Sequence, residues 1–486
     1  MTELPSIHVS ESPSAQSEKV PLINKLAFGA GDVGPAIATA IMGFFLLFFL
    51  TNVAGLSPGT AGTILLLSKI WDAFNDPIVG YISDRVQTRW GRRRPWFLFG
   101  AVPFGVAFWL LWLVPDVGAA GKFWYYLAVS LLLDTAFTVV NVPYTALTPE
   151  MTNDYDERTS LNTFRFAFSI IGGLIAAVLF GPMVDSFKPN LARGYLVVAG
   201  IWAVVATLPF FFAFWGTYER HHTKPDAELG FWAGLVTTFK NRAFRSAIWI
   251  YLLSWLVVQA VSVIIIYYTT YLLRKPEITP LVILSVQGSA FVWLFIWNKL
   301  SHRWGKKGVY YRGMACWIVV SMALFIVQPS WPTWSVLLLG VFAGAGVATA
   351  FLIPWSLLPD VIELDELETG QRREGAFYGF FVLGQKLGLA VGLFLVGQVL
   401  EWSGFISPPS GVDPNTIVQP ASTLTAIRWM IGPIPAVILA AGIVMVYFFP
   451  ITKAGHEQTL RELEQRRGMR NQESGIGNRE ESKITP

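Results

Sequence analysis

The sequence predicts an all-α membrane protein of twelve transmembrane helices in two pseudo-symmetric six-helix bundles, with both termini cytoplasmic. Three observations carry this. The chain of 486 residues is 53% hydrophobic and only 14% charged, with a mean hydropathy of +0.49, whereas soluble globular domains carry about 25% charged residues. Apolar segments at 26–52, 60–83, 95–115, 122–148, 164–186, 195–218, 242–273, 280–300, 309–328, 333–358, 375–401 and 428–450 each approach or exceed the roughly 20 residues that a helix needs to span a bilayer. A short turn also recurs: Trp90-Gly91-Arg92-Arg93 follows the second segment and Trp304-Gly305-Lys306-Lys307 follows the eighth, the same place in each half. Trp-Gly-basic turns are common at a cytoplasmic face, but matching position favours internal duplication, as in carriers whose site lies at mid-membrane between two repeats.

Taken in order, residues 1–23 read as a polar, disordered cytoplasmic tail without the apolar core of a signal peptide. Residues 24–218 form the first bundle, 219–241 a cytoplasmic linker, 242–452 the second bundle and 453–486 a polar tail with a short exposed helix at Glu457–Arg467. Stretches 142–165 and 242–273 leave room for interfacial pieces. Loops after even-numbered segments hold most of the basic residues, among them Arg85, Arg89, Arg92, Arg93, Arg94, Arg303, Lys306, Lys307, Arg372 and Arg373; loops after odd-numbered ones hold few, such as Lys122, Lys188 and Arg428. Basic loops stay cytoplasmic. The net charge of +4 comes from these loops and does not point to nucleic acid. The single Cys316 and the scattered histidines offer neither a disulfide nor a metal-ligand spacing.

The stretch Lys69-Ile70-Trp71-Asp72-Ala73-Phe74-Asn75-Asp76-Pro77 carries the chemistry. Asp72 and Asp76, four apart, share one helix face, with Lys69 one turn before Asp72 and Asn75 alongside. A carboxylate at mid-bilayer costs on the order of 3 kcal/mol or more, so two on one face require a cation, a proton or a lysine. Pro77 leaves the carbonyl of Ala73 without its helical donor, beside the carboxylates. Two readings fit: a monovalent-cation or proton site in a polar cavity, or a structural Lys-Asp cluster joining helices.

Other polar residues in the spans extend the picture. Asp32, among glycines in the first segment, faces the cavity or caps a helix. Asp134, Thr138 and Asn141 share a face of the fourth segment and suit a cation, a hydroxylated solute or helix–helix hydrogen bonds. Arg165 starts the fifth segment and either enters the cavity or snorkels. Lys386 lies deep in the eleventh, with Asp72 and Asp76 its expected partners in a network with Lys69. Gln259, Gln287, Tyr267 and Tyr268 offer polar contacts from the second half, and Gly340, Gly344 and Gly346 make the tenth segment small-faced, for sliding or for static packing. The acidic stretch from Asp360 through Glu363 to Glu366 reads as a loop. It faces Asp84-Arg85 and Arg92 to Arg94 of the other half, for ion pairs that close the cytoplasmic side or for topology signalling alone.

On these residues the chain resembles the glycoside–pentoside–hexuronide:cation symporters, the melibiose permease-like branch of the major facilitator superfamily, over about 24–450. The resemblance rests on Ile70 to Pro77; on Gly80, Asp84, Arg85, Gly91, Arg92 and Arg93; on Val142-Pro143-Tyr144-Thr145-Ala146-Leu147; and on Pro359-Asp360-Val361-Ile362-Glu363. It implies cation ligands at Asp72, Asn75, Asp76 and Thr138, with Na⁺, H⁺ or Li⁺ as coupling ion and no other cofactor. It also implies Lys386 near that site and solute contacts from Arg165, with Asp32, Asp134, Asn141, Thr145 and Gln259 as further candidates. Ala36, Asn141 and Thr145 stand where a galactoside-specific member carries two aspartates and a tryptophan, which points to another sugar, glycoside or uronide. Animal lysophospholipid carriers are similar in the Val142–Leu147 stretch, so an amphiphile is a second solute class. The implied protein is a non-enzymatic symporter of the plasma membrane, the bacterial inner membrane, and a monomer is the expected state.

Other classes fit less well. Gly29-Ala30-Gly31-Asp32 matches the Gly-x-Gly-Asp pattern of intramembrane aspartyl proteases, with Asp134 as the second acid, but four-letter matches are cheap in a chain with 43 glycines. A channel would not require duplicated halves or buried lysines. An exchanger without cation coupling is a third possibility.

Overall fold

The computed structural model describes residues 19–152, 154–220, 237–370, 373–408, 412–452, 455–463 and 465–466. Residues 1–18, most of the linker, Arg372 and the chain from 467 lie outside them. Nine helices among the described residues are long and apolar enough to cross a membrane, Arg94–Leu110 is a shorter apolar one, and no strand longer than an isolated bridge is present among those residues. The first half opens with α1 (Leu22–Asn52), α2 (Pro58–Arg85) and α3 (Arg94–Leu110). Then come α4 (Ala119–Thr145), α5 (Tyr155–Asp185) and α6 (Leu191–Gly216). The second half begins with α7 (Arg242–Tyr267).

The next helix, Thr279–Ile326, is 48 residues long. At 1.5 Å per residue that is about 70 Å, more than twice a bilayer core. The backbone turns within it at Gly305, φ +70°, and divides it into α8 (279–304) and α9 (306–326). Gly91, φ +106°, makes the corresponding turn in the first half. Both positions lie in the left-handed region that glycine enters without steric cost. Then follow α10 (Thr333–Thr369), α11 (Glu374–Trp402) and α12 (Ala421–Phe448).

Three elements depart from the sequence expectation. The acidic stretch expected as a loop is helical, because α10 continues through Pro354 and Pro359 to Thr369 and ends on Gly370 in the left-handed conformation. The α1 segment breaks at Gly31-Asp32 and carries a π-helical turn at Met42–Leu46. The tail helix is not simply exposed: Leu463 is buried, His456 lies 2.6 Å from Glu363, and Arg466 donates to the carbonyl of Leu367. It docks on the end of α10.

The basic turns are built alike. Arg94 donates to the carbonyl of Phe214 in the last turn of α6, and Lys307 donates to that of Phe449 just after α12; each cation also lies over the ring of the same phenylalanine. Arg92 and Arg93 pair with Glu150, and Lys306 pairs with Asp360 at 2.7 Å. At the opposite end of the bundle the halves are tied directly. Thr51 meets the hydroxyl of Tyr267 at 2.6 Å, Tyr271 donates to Asn52, Gly59 donates to Glu401, and Ser407 donates to the carbonyl of Leu56. A side chain at Gly397 would lie 2.5 Å from the carbonyl of Pro58 and 3.1 Å from Gly62. The absence of side chains there lets α11 lie against α2. In α10, Gly344 and Gly346 press against α8 and Trp317 of α9 in the same way, which is close packing.

Candidate functional site

The contact of α11 with α2 brings the deep charges together. Lys386 Nζ lies 2.9 Å from Asp72 and in direct contact with Asp76. Thr138 Oγ1, from α4, is 3.1 Å from Asp72 and 2.9 Å from Asp76. Asp72 is buried, while the side chain of Asp76 retains 28% of its exposure, so one acid is sealed and the other accessible. Asn75 is buried, and its amide nitrogen has no hydrogen-bond partner among the described residues. The amide can present its oxygen at the same place by a flip. Two carboxylates, a hydroxyl and an amide make a set of hard oxygen donors suited to a small cation.

A second pair sits one helical turn further toward the tied end. Asp134 accepts from Ser68 at 2.5 Å and from Lys69 at 2.6 Å, whereas Lys69 is 4.0 Å from Asp72. Helix periodicity placed Lys69 beside Asp72; in the fold its closer partner is Asp134. Asp72, Asp76 and Asp134 thus gather with Lys69 and Lys386 in one cluster of three acids and two amines, of which Asp72 and Asp134 are buried.

Asp32 makes no side-chain cap; it faces Arg165 at 3.5 Å, while Tyr144 donates to the carbonyl of Phe28 next to the break in α1. At the break the backbone stays buried and hydrogen-bonded, with Gly31 N–H on Phe28 and Asp32 N–H on Gly29, and an acid faces a cation there. Asn141 is partly buried one turn from Thr138; Thr145 donates to its own helix at Val142; Gln259 stands near Gly392 of α11. Tyr267 and Tyr268 are not solute contacts in this state: both are fully buried, the first on Thr51 and the second on the carbonyl of Leu324.

The residues expected to gate form pairs within each half. Asp84 meets Arg93, which also donates to Ser83, and Ser83 donates to the carbonyl of Gly80. Arg85 lies over the ring of Tyr81 instead. Asp360 takes Lys306, Glu363 takes His456, and Arg373 takes Asp365. Sequence reasoning missed Glu150 and Glu219. The backbone N–H groups of Arg92, Arg93 and Arg94 all donate to Glu219, at 2.6, 2.8 and 3.0 Å, a carboxylate at the start of α3 that also neutralises the basic turn. The available signal was an acid at the end of each even span of the first half. His456 was also missed, because its meeting with Asp360 and Glu363 spans more than 90 residues of chain.

Repeated helical halves, tied at one end around buried charges, define a secondary transporter of the major facilitator type. The chain belongs to the family described as MFS/sugar transport protein, which it matches over residues 27–453. It is 39% identical to a Synechocystis sp. protein named as a symporter, over 94% of this chain and 99% of that one. It is also similar to the isoprimeverose transporter of Lactiplantibacillus pentosus, 27% identical over 96% of this chain and 97% of the other. The sodium-dependent lysophosphatidylcholine symporter 1-A of Danio rerio is 26% identical, with 94% and 91% covered. The fold matches the xylose transporter XylE from E. coli in its inward open conformation at a TM-score of 0.62, covering 91% of this chain and 98% of that one, at 16% identity.

Proposed function

We propose that the protein couples the movement of one small cation to uptake of a sugar, glycoside or uronide across the plasma membrane by alternating access. In this reading twelve helices span the membrane as halves 24–218 and 242–452, with the basic turns and both termini in the cytoplasm. The state described is then open to the cytoplasm and closed outside, since the ties between Gly59 and Glu401, and between Thr51 and Tyr267, lie at the outer end.

The observation that carries the reading is the contact of Lys386 with both Asp72 and Asp76. A tethered ammonium on the acid pair stands where a mobile cation would bind. Its helix belongs to the other half, so exchange of one cation for the other changes how the halves hold together. Asp72, Asp76, Thr138 and Asn75 are the ligands, and Na⁺ suits their oxygen set. Asp32 and Arg165 are the central solute contacts, with Asn141, Thr145 and Gln259 as further ones. Coverage of nearly the whole chain by the isoprimeverose transporter supports a sugar. The comparable coverage by a sodium-dependent lysophosphatidylcholine symporter keeps an amphiphile as the second reading.

The test is uptake by proteoliposomes of labelled glycosides, uronides and lysophospholipids, each with Na⁺, Li⁺ or a proton gradient alone. Na⁺-dependent accumulation of a glycoside is expected. Accumulation indifferent to every cation would reject coupling, and a response to lysophospholipids alone would select the second reading.

A further inference from the structure

We infer that Asp134 is a positioning residue whose task is to hold Lys69 away from the cation site. The inference rests on the reading of Asp72 and Asp76 as cation ligands. Two ammonium groups lie within reach of that pair, and they differ in kind. Lys386 belongs to the second half and leaves the pair when the cation enters or the halves part. Lys69 cannot leave: it is on the same helix as Asp72, one turn away. Once Lys386 withdraws, Lys69 is the nearest positive charge to an unneutralised acid, and a tethered charge has a far higher local concentration than any ion in solution. Unless held, it would fill the site and exclude the mobile cation.

The structure supplies the restraint. Asp134 of α4 takes Lys69 at 2.6 Å, and Ser68 donates to the other oxygen of Asp134 at 2.5 Å, so that both carboxylate oxygens are engaged and the group is oriented toward Lys69. Asp134 and Ser68 are both buried, and α2 and α4 belong to the same half. The restraint therefore lies within one half and, unlike the contact made by Lys386, does not depend on how the halves meet. With Asp134 in place, Lys69 stays 4.0 Å from Asp72. It is too far to occupy the ligand oxygens and close enough to limit the negative charge of the empty site.

Neutralising Asp134 frees the ammonium to close on Asp72. At the screening typical of partly buried charges, moving a unit charge from 4 Å to contact changes binding by about ten-fold. Asp134→Asn is expected to raise the half-saturating cation concentration for transport by about that factor, with solute KM at saturating cation little changed. The double variant Lys69→Gln/Asp134→Asn removes both the ammonium and the need to hold it, and is expected to return the half-saturating concentration toward the wild-type value. A purely structural role for Asp134 would not be repaired by losing its partner. An unchanged cation response in Asp134→Asn, or a double variant as impaired as the single one, would overturn the inference. Should Asp134→Asn fail to insert, the double variant alone decides, and a displaced half-saturating concentration there counts against the inference. Asp72→Asn is the control: if it retains a wild-type cation response, the site reading beneath the inference fails. If it loses that response while Asp134→Asn keeps it, only the holding role fails.

Discussion

Lys386 Nζ of α11 lies 2.9 Å from Asp72 of α2, so an ammonium from one half of the molecule neutralises a buried carboxylate of the other. Asp72 is sealed from solvent in this state, and the pair is a charged tie between the halves. Both charges are uncovered when it breaks, which is costly in a low-dielectric interior unless each finds a new partner.

Replacing Lys386 with Ala is expected to strengthen cation binding, because the tethered competitor is gone, and to reduce net uptake by at least about ten-fold, equivalent to ~1.4 kcal/mol on the cycle's barrier. Cation binding by isothermal calorimetry and uptake in the same preparation check the two signs. Weakened binding together with full uptake would place Lys386 outside the network.

Asp72→Ala and Asp76→Ala are each expected to abolish cation-dependent accumulation while the protein still reaches the membrane. Asp76→Ala is the milder lesion for folding, since its side chain is partly exposed and that of Asp72 is not. Uptake assays paired with membrane yields of each variant measure this, and undiminished uptake in both would remove the coupling site.

Asp32→Asn removes the acid that faces Arg165 at 3.5 Å. It is expected to raise solute KM and leave the cation response unchanged, because Asp32 is not among the groups around Asp72. Solute titration at fixed, saturating cation separates the effects.

Glu150 is almost fully buried and accepts from both Arg92 and Arg93. Glu150→Gln leaves the Arg92 guanidinium without its carboxylate and Arg93 with Asp84 alone, and breaking a buried pair costs ~3–5 kcal/mol. A clear fall in melting temperature of the detergent-solubilised protein is expected. Arg85→Ala, whose side chain rests on the ring of Tyr81, is expected to melt near wild type.

Gly397→Leu would push α11 off α2, since even a methyl there meets the carbonyl of Pro58 at 2.5 Å. Loss of transport is expected, together with faster thiol labelling of a cysteine placed at Gln398 in a Cys316→Ser background. Wild-type uptake would mean that the helices close without this contact.

Much of the architecture was legible in the sequence because its causes are one-dimensional. Spans follow from runs of apolar residues, and the recurrence of Trp90-Gly91 as Trp304-Gly305 marked the positive-φ turns at Gly91 and Gly305. The pair Asp72 and Asp76 was legible because helix periodicity alone puts both on one face. The acidic stretch after Pro359 was misread as a loop, since charges and prolines signal a break in isolation; here Lys306, Arg373 and His456 satisfy the acids and the helix continues. Glu150 and Glu219 were not legible because their partners lie 57 and more residues away.

By itself the sequence determined that this chain enters a membrane, where it turns, and that one helix carries two acids on a single face, because hydrophobicity and helical spacing act along the chain. Only the tertiary structure decided which cation each acid meets: Lys386 for Asp72 and Asp76, Lys69 for Asp134. Spans that are apolar around most of their circumference carry little periodic signal of how they are rotated, so the pairing of buried charges waits on the close approach of α11 and α4 to α2.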